Sequence, residues 1–348
     1  MKRSRISALF GLVVAIALLL AAAGGPVFAG GGNPDMPRGL ERAIQVQEKH
    51  TERLLGLEGV VGTAVGLGAD GNPAVLVLAE KPGLGGIPAA LDGVQVEVVI
   101  TGKIVALKPP AGAGKPPKQA IDPKARFPRP VPIGVSTGNA GECSAGTIGA
   151  RVKDADGNVY ALSNNHVYAL ENKALIGSKV LQPGLYDTGC VYDSNNVIGA
   201  LSDFVAIDFS GDANTVDAAI ALSSIANLGN ATPSNGYGTP KSTTVAASLG
   251  QAVQKYGRTT GLTKGTVTGI NATVSVGYSS GTALFKNQII VQSRKPFIKA
   301  GDSGSLLVAD PGRESVGLLF AGDATGNYGV ANPIDAVLAA LGVTIDGE

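Results

Sequence analysis

From Val131 to the C-terminus the chain is a string of short apolar runs cut by glycine, asparagine and aspartate. This pattern limits the possible folds more than any other feature. Runs at Val197–Leu201, Ala218–Leu222, Ala252–Tyr256, Gly265–Val276, Ile289–Gln292, Ser305–Val308 and Val316–Phe320 read as strands. The stretch GTIGARVKDADGNVYALSNNHV reads as a hairpin with DADGN at its tip. Asp154 and Asp156 look like the opening of a calcium loop, but the closing glutamate is missing at the required spacing, so the turn reading is kept. One C-terminal helix is expected at Pro333–Leu341. The 50 glycines among 348 residues are about twice the usual ~7 % share, which suits tight turns between many short strands. The expected architecture is mainly β, with the sheet closed into an antiparallel barrel.

Upstream of that region the chain changes character twice. Residues 1–29 have a basic start, an apolar run and the small-residue end VFA, which predicts a secretory signal cut after Ala29. The alternative is an uncleaved anchor, but Ala8–Ala23 is short for a full span. Loss of Lys2, Arg3 and Arg5 leaves 25 basic residues against 27 acidic ones, so charge names no partner. No basic stripe with interleaved aromatics is present, which argues against nucleic acid as a partner, and no second segment predicts a membrane span. Hydrophobic content of 44 % with 16 % charged residues is enough for a sizeable core. An exported chain is expected to be extracellular, where Cys143 and Cys190 are free to pair; the alternative is two separate buried thiols.

Residues 36–107 predict a small α+β unit. Its helix spans Pro37–Leu57, a hairpin is formed by VVGTAVGL and AVLVLAE around ADGNP, and VQVEVVITGKIVAL supplies further strand. His50 lies on the charged helix and reads as a solvated surface residue. Residues 108–130, rich in Pro, Gly and Lys, read as a semi-stiff linker before a domain at 131–348. GAGK in that linker is not a phosphate loop, because Pro116 stands where Ser or Thr is needed after Lys115. With two histidines and two cysteines far apart, a zinc cluster is not expected, and no cofactor is implied.

One constellation carries chemistry. A serine hydroxyl is a weak nucleophile until a base takes its proton, and the base needs a carboxylate to orient it. His166 is the only histidine after the linker and sits where a strand runs out into a turn. Among Asp203, Asp208, Asp212 and Asp217, the last directly precedes the apolar run AAIAL, which would carry its side chain toward a buried site. Ser303 lies in the run Gly301, Asp302, Ser303, Gly304, where the amides of Gly301 and Ser303 suit an oxyanion hole. Ser305 competes as nucleophile but enters the apolar strand. The order His166, Asp217, Ser303 differs from the Ser, Asp, His order of α/β-hydrolases.

LSNNHVYA, NTVDAAIA and AGDSGSLL together resemble the three triad segments of chymotrypsin/trypsin-like serine proteases. YGRTTGLTKGTV resembles the matching strand of the bacterial secreted branch, the streptogrisin and alpha-lytic types. RPVPIGVS, CSAGTIGARV and VLQPGLYD are similar to bacterial trypsin-fold proteins allied to the plant narrow-leaf proteases. The likeness runs from Arg129 to the C-terminus. It implies a trypsin-like double antiparallel β-barrel following the small N-terminal α+β domain, which stands where a pro-region would. It also implies a secreted serine endopeptidase acting on protein or peptide substrates through His166, Asp217 and Ser303. A pocket floor near Phe297 and a wall at Phe320, Ala321 and Gly322 would favour apolar or small residues, with Asp323 as a dissenting charge. Pro132 before Ile133 argues against activation by a new N-terminus, and the bacterial branch implies Arg258 as the partner of Asp302. The chain departs from the family in NNH and SGS, which bears on substrate preference and rate. A weakly active binding or scaffold protein and a serine esterase are the competing functions.

Overall fold

In the computed structural model, residues 38–107 and 121–348 are described, so the signal segment and most of the linker lie outside the described residues. Two antiparallel systems follow the linker. The first is an eight-stranded sheet in the order Thr344–Ile345, Ala150–Lys153, Val159–Ser163, Ala219–Leu222, Val197–Phe204, Lys179–Leu181, Ser136–Asn139, Gly146–Thr147. It curls around Val135, Ile148, Ala161, Val180, Leu201 and Ala221, which share one apolar cluster. Its Ala150–Lys153/Val159–Ser163 hairpin turns at Asp154, whose carboxylate accepts hydrogen bonds from Asn158 and Tyr160 and is occupied by turn-making.

The second system closes on itself. Ala252–Gly257 pairs with Gly261–Tyr278, and then in turn come Gly281–Gln292, Tyr328–Pro333, Ser315–Gly322 and Leu306–Ala309, which returns to Ala252–Gly257. The six strands enclose Val253, Val267, Val291, Leu307, Leu319 and Ala331. The fold is therefore mainly β with curled antiparallel sheets. A helix at Ile334–Leu341 packs Ile334 and Val337 between the two systems with Leu162, Leu306 and Leu318.

The N-terminal unit has the helix Leu40–Leu55 laid over Val60–Leu67 and Pro73–Ala79, with Val94–Ile100 alongside in parallel. Ala43, Val46 and Leu54 face Val65, Val75 and Val77. His50 is not free in solvent: its Nε2 lies 3.0 Å from Asp92 Oδ2. The unit does not end at its own edge. Val60–Leu67 pairs with the far end of the long strand Gly261–Tyr278, with Gly62 opposite Val274 and Val65 opposite Ile270. Val61, Leu76 and Leu78 also share a cluster with Ala272, Phe285 and Phe320. The paired strands and the shared cluster join the unit to the second barrel as one compact body.

The run VQVEVVITGKIVAL is not one strand. It stops at Ile100, where the amides of Thr101 and Gly102 both turn back to the Ala79 carbonyl, and Gly102 takes a φ of +72°. The chain then leaves the unit and resumes as the short strand Val105–Ala106. That strand lies between the long hairpin, opposite Gly277, and Ser315–Gly322.

Candidate functional site

Strand Val159–Ser163 ends at Asn164, and a single helical turn, Asn165–Tyr168, holds His166 at the seam between the two barrels. The Asp217 side chain meets it: Oδ2 lies 2.6 Å from His166 Nδ1, and Oδ1 accepts the His166 amide at 3.2 Å. Both side chains are buried. Asp217 is itself fixed by neighbours. Asn164 Nδ2 donates to its carbonyl, the Asn332 side chain accepts its amide, and Tyr278 OH donates to Oδ2 at 2.9 Å. Asp203 and Asp208 are engaged with amides of their own loops, so Asp217 is the carboxylate at the imidazole. Burial, followed by the adjacent Asp217 charge, pushes the Tyr278 hydroxyl well above the ordinary range for a phenol, so it stays a donor.

Ser303 lies across the seam. Its carbonyl accepts the Thr147 amide of the first barrel at 2.8 Å, while the next amide, Gly304, donates to Leu319 of the second. Gly304 has a φ of +91°, and a Cβ there would meet Ser163 Oγ at 2.2 Å, so only glycine fits. Ser305 is folded into the turn, with Oγ donating to the Asp302 carbonyl at 2.5 Å, and is not available as a nucleophile. Ser303 Oγ donates to the Phe320 carbonyl at 3.2 Å. His166 Nε2 is buried and makes no hydrogen bond among the described residues. The structure thus joins His166 to Asp217 and leaves Ser303 Oγ turned away from the imidazole.

One more group completes the site. The Leu107 carbonyl oxygen accepts the Gly301 amide at 2.8 Å and lies 3.5 Å from Ser303 Oγ. Leu107 packs in the cluster that holds Phe297 and Ile298. Ala106 sits opposite Ala321, and Val105 opposite Gly322. Asp323, at the rim, is spent on its own turn, accepting from the Thr325 and Tyr328 amides at 3.0 and 2.8 Å. Among the described residues no group of three or more His, Cys, Asp or Glu is placed to hold a metal.

Over 102 residues the chain is 41 % identical to streptogrisin-A of Streptomyces griseus, covering 28 % of this chain and 32 % of that protein. The chain resembles the bacterial chymotrypsin-like serine proteases. The match spans about a third of the length of that relative. Among solved structures, a glutamic acid-specific serine protease with a histidine triad in substrate binding is 23 % identical, over 62 % of this chain and 100 % of its own, at a TM-score of 0.44. Cellulomonas bogoriensis chymotrypsin is 24 % identical, over 63 % and 99 %, at 0.42. No family model matches the chain.

The resemblance to proteases of this branch implied Arg258 as the partner of Asp302, and the structure corrects it. The Arg258 guanidinium is buried, but both oxygens of Asp187 in the first barrel take it in a fork: Nε reaches Oδ2 at 2.8 Å and Nη2 reaches Oδ1. It also lies 5.3 Å over the Tyr186 ring. Gly301, at a φ of +95°, leaves room for the guanidinium, since a Cβ there would meet Nη1 at 2.5 Å. Asp302 is instead paired with Lys255, at 3.2 Å. Its oxygens also accept the Thr259, Thr260 and Lys299 amides and the Thr260 hydroxyl. The reason is reach. Lys255 is on the strand facing the turn at Gly301–Gly304, while the Arg258 side chain points past that turn toward Asp187 of the first barrel. Residues missed in the sequence are therefore Leu107, Asp187, Lys255 and Tyr278, each brought in by contacts from elsewhere in the chain.

The two cysteines are joined. Cys143 and Cys190 form a disulfide that closes a 47-residue separation containing both His166 and Asp187.

Proposed function

We propose that this chain is a secreted serine endopeptidase. Ser303 is the nucleophile, His166 the general base and Asp217 its orienting carboxylate, with the Gly301 and Ser303 amides as the oxyanion hole. One observation carries the reading: a single carbonyl oxygen, that of Leu107, sits within reach of both the Gly301 amide and the Ser303 hydroxyl. That is where the reacting oxygen of an acyl group must lie. Asp217 holds Nδ1 of the imidazole and so presents Nε2 as the base. Catalysis needs Ser303 Oγ to leave the Phe320 carbonyl and hydrogen-bond to Nε2.

Export is supported by the basic-then-apolar leader of residues 1–29 and by the Cys143–Cys190 disulfide. Among the described residues no helix is long and apolar enough to cross a membrane. Residues 36–107 act as a pro-region that assists folding or holds the enzyme latent, because their last strand lies across the site.

The competing reading is a catalytically weak binding protein on this fold, favoured by the Ser303–Phe320 hydrogen bond. A fluorophosphonate probe decides between them. Labelling of the secreted protein, lost in Ser303→Ala together with peptide hydrolysis by a factor on the order of 10^6, supports the endopeptidase. Equal labelling and cleavage by Ser303→Ala would end it.

A further inference from the structure

The cleft beside Ser303 already holds a peptide, and the peptide belongs to this chain. After the turn at Thr101 and Gly102, residues 104–107 run antiparallel to Ser315–Gly322. Strand addition to that edge is how an extended peptide gains main-chain hydrogen bonds. The Ile104 carbonyl accepts the Gly277 amide at 3.0 Å, and the Leu107 carbonyl accepts Gly301 at 2.8 Å, so the segment is pinned at both ends. The Leu107 side chain is 7 % exposed, among Phe297, Ile298 and Leu319. A Cβ on Gly322 would meet the Tyr328 carbonyl at 2.7 Å, Ile298 Cγ2 at 2.8 Å and Leu107 Cδ1 at 3.3 Å, so glycine is needed in the wall against which the leucine packs. The Asp323 oxygens accept hydrogen bonds from Thr325 and Tyr328.

We propose that Val105-Ala106-Leu107 is the first substrate of this site, that the bond after Leu107 is cut within the same molecule, and that leucine is the preferred residue at the cut. The proposal rests on the endopeptidase reading above. Ser303 Oγ adds to the Leu107 carbonyl carbon while His166 takes the hydroxyl proton, and the Gly301 amide holds the oxyanion. The bond from that carbon to the Lys108 nitrogen breaks, and His166 returns the proton to the departing amine. Water, losing a proton to His166, then releases Leu107 as a carboxylate and restores the Ser303 hydroxyl. The Leu107 carboxylate stays in the cleft as a bound product. Other substrates follow the same rule: a leucine-sized apolar residue at the cut, preceded by a small residue and then a β-branched one.

The test uses the full secreted chain. Intact mass and N-terminal sequencing are followed over time for wild type, Ser303→Ala and Leu107→Ala, beside a peptide library varied at the residue before the cut. The proposal expects a new N-terminus at Lys108 in wild type, formed at a rate independent of protein concentration, and none in Ser303→Ala. Leu107→Ala should slow it by about 10–100-fold, the scale for losing apolar side-chain groups from a pocket. The library should rank leucine first. A protein that labels at Ser303 and cleaves peptides, yet is not cut after Leu107 or prefers Lys, Arg or Glu, overturns this proposal alone. A protein that neither labels nor cleaves any peptide overturns the endopeptidase reading with it.

Discussion

Lys255 Nζ lies 3.2 Å from Asp302 Oδ2, and neither side chain reaches solvent. The pair sits directly behind the turn that carries Ser303, with the ammonium also touching Thr260 Oγ1 and, at 3.4 Å, the Gly261 carbonyl. It gives Asp302 a buried cation from within the same barrel, where no chain terminus is involved. Among the described residues Asp302 is the carboxylate that faces Lys255, and the other hydrogen-bond partners of the ammonium, Thr260 and the Gly261 carbonyl, are uncharged.

Burial lowers the Lys255 pKa from the ordinary 10.5, and the Asp302 charge opposes that shift. Between the lowered value and 10.5 the unfolded chain binds the extra proton, so this group makes folding stability rise with pH there. Activity is expected to run the other way: once the ammonium loses its proton, Asp302 keeps its amide and hydroxyl donors but loses its cation, next to the turn that carries Gly301. The expected result is an alkaline limb in kcat that moves to higher pH in Lys255→Arg, whose guanidinium stays charged. Lys255→Met should lose about 3–5 kcal/mol of stability, the scale for one partner removed from a buried pair. Profiles of kcat against pH, with urea unfolding alongside, check both, and an alkaline limb unchanged in Lys255→Arg speaks against the role.

Arg258 and Asp187 bind the second barrel to the first, so their loss is structural before it is catalytic. Arg258→Ala should cost about 3–5 kcal/mol, because among the described residues it leaves the buried Asp187 carboxylate with the Ser136 hydroxyl and the more distant Lys124 charge. Arg258→Lys keeps the charge but not the fork, and should fall between Ala and wild type. The double variant Arg258→Met with Asp187→Leu should recover much of the loss, as apolar replacements of buried pairs often do. Urea midpoints of the four proteins decide it; a double variant as unstable as Arg258→Ala would contradict the account.

Asp217→Asn should lower turnover on the order of 10^4-fold at neutral pH, because the amide no longer selects the tautomer that presents Nε2. Tyr278→Phe removes one donor from the same carboxylate and should cost about 1.5–3 kcal/mol of stability. Its effect on kcat should be far smaller, since His166 stays bonded to Asp217. Steady-state kinetics and thermal unfolding of both variants separate the two roles.

Reduction of Cys143–Cys190 should cost about 4 kcal/mol in the chain-entropy account of a loop this long. The loop carries His166 and Asp187, so activity should fall before global unfolding as the temperature is raised. Parallel activity and circular-dichroism melts, with and without reductant, check the order of loss.

Much of this was legible in the sequence. The hairpins at ADGNP and DADGN were readable because turn residues interrupt β-branched runs, and the observed strands fall within a few residues of those runs. Candidates at His166 and Ser303 stood out by scarcity and by a glycine-flanked turn. What stayed hidden depends on distant partners. Lys255 looks like any lysine in an alternating strand until Asp302, 47 residues on, is folded against it. Arg258 finds Asp187 at a separation of 71 residues, and Tyr278 finds Asp217 at 61. Leu107 was hidden differently: VVITGKIVAL has unbroken strand character, and only the turn of Thr101 and Gly102 toward Ala79 shows where the chain changes direction.

The sheet that runs from the N-terminal unit into the second barrel has a consequence for how such a chain is switched on. While the backbone is continuous, the segment ending at Leu107 competes with any outside peptide at an effective concentration of order millimolar or above. Breaking the bond after Leu107 removes the covalent tether but not the Gly62–Val274 ladder or the apolar residues that Val61 and Leu78 share with Phe285. On the proposed cut, residues 38–107 are therefore expected to stay bound as a non-covalent inhibitor, so that activity appears only as they dissociate or are destroyed.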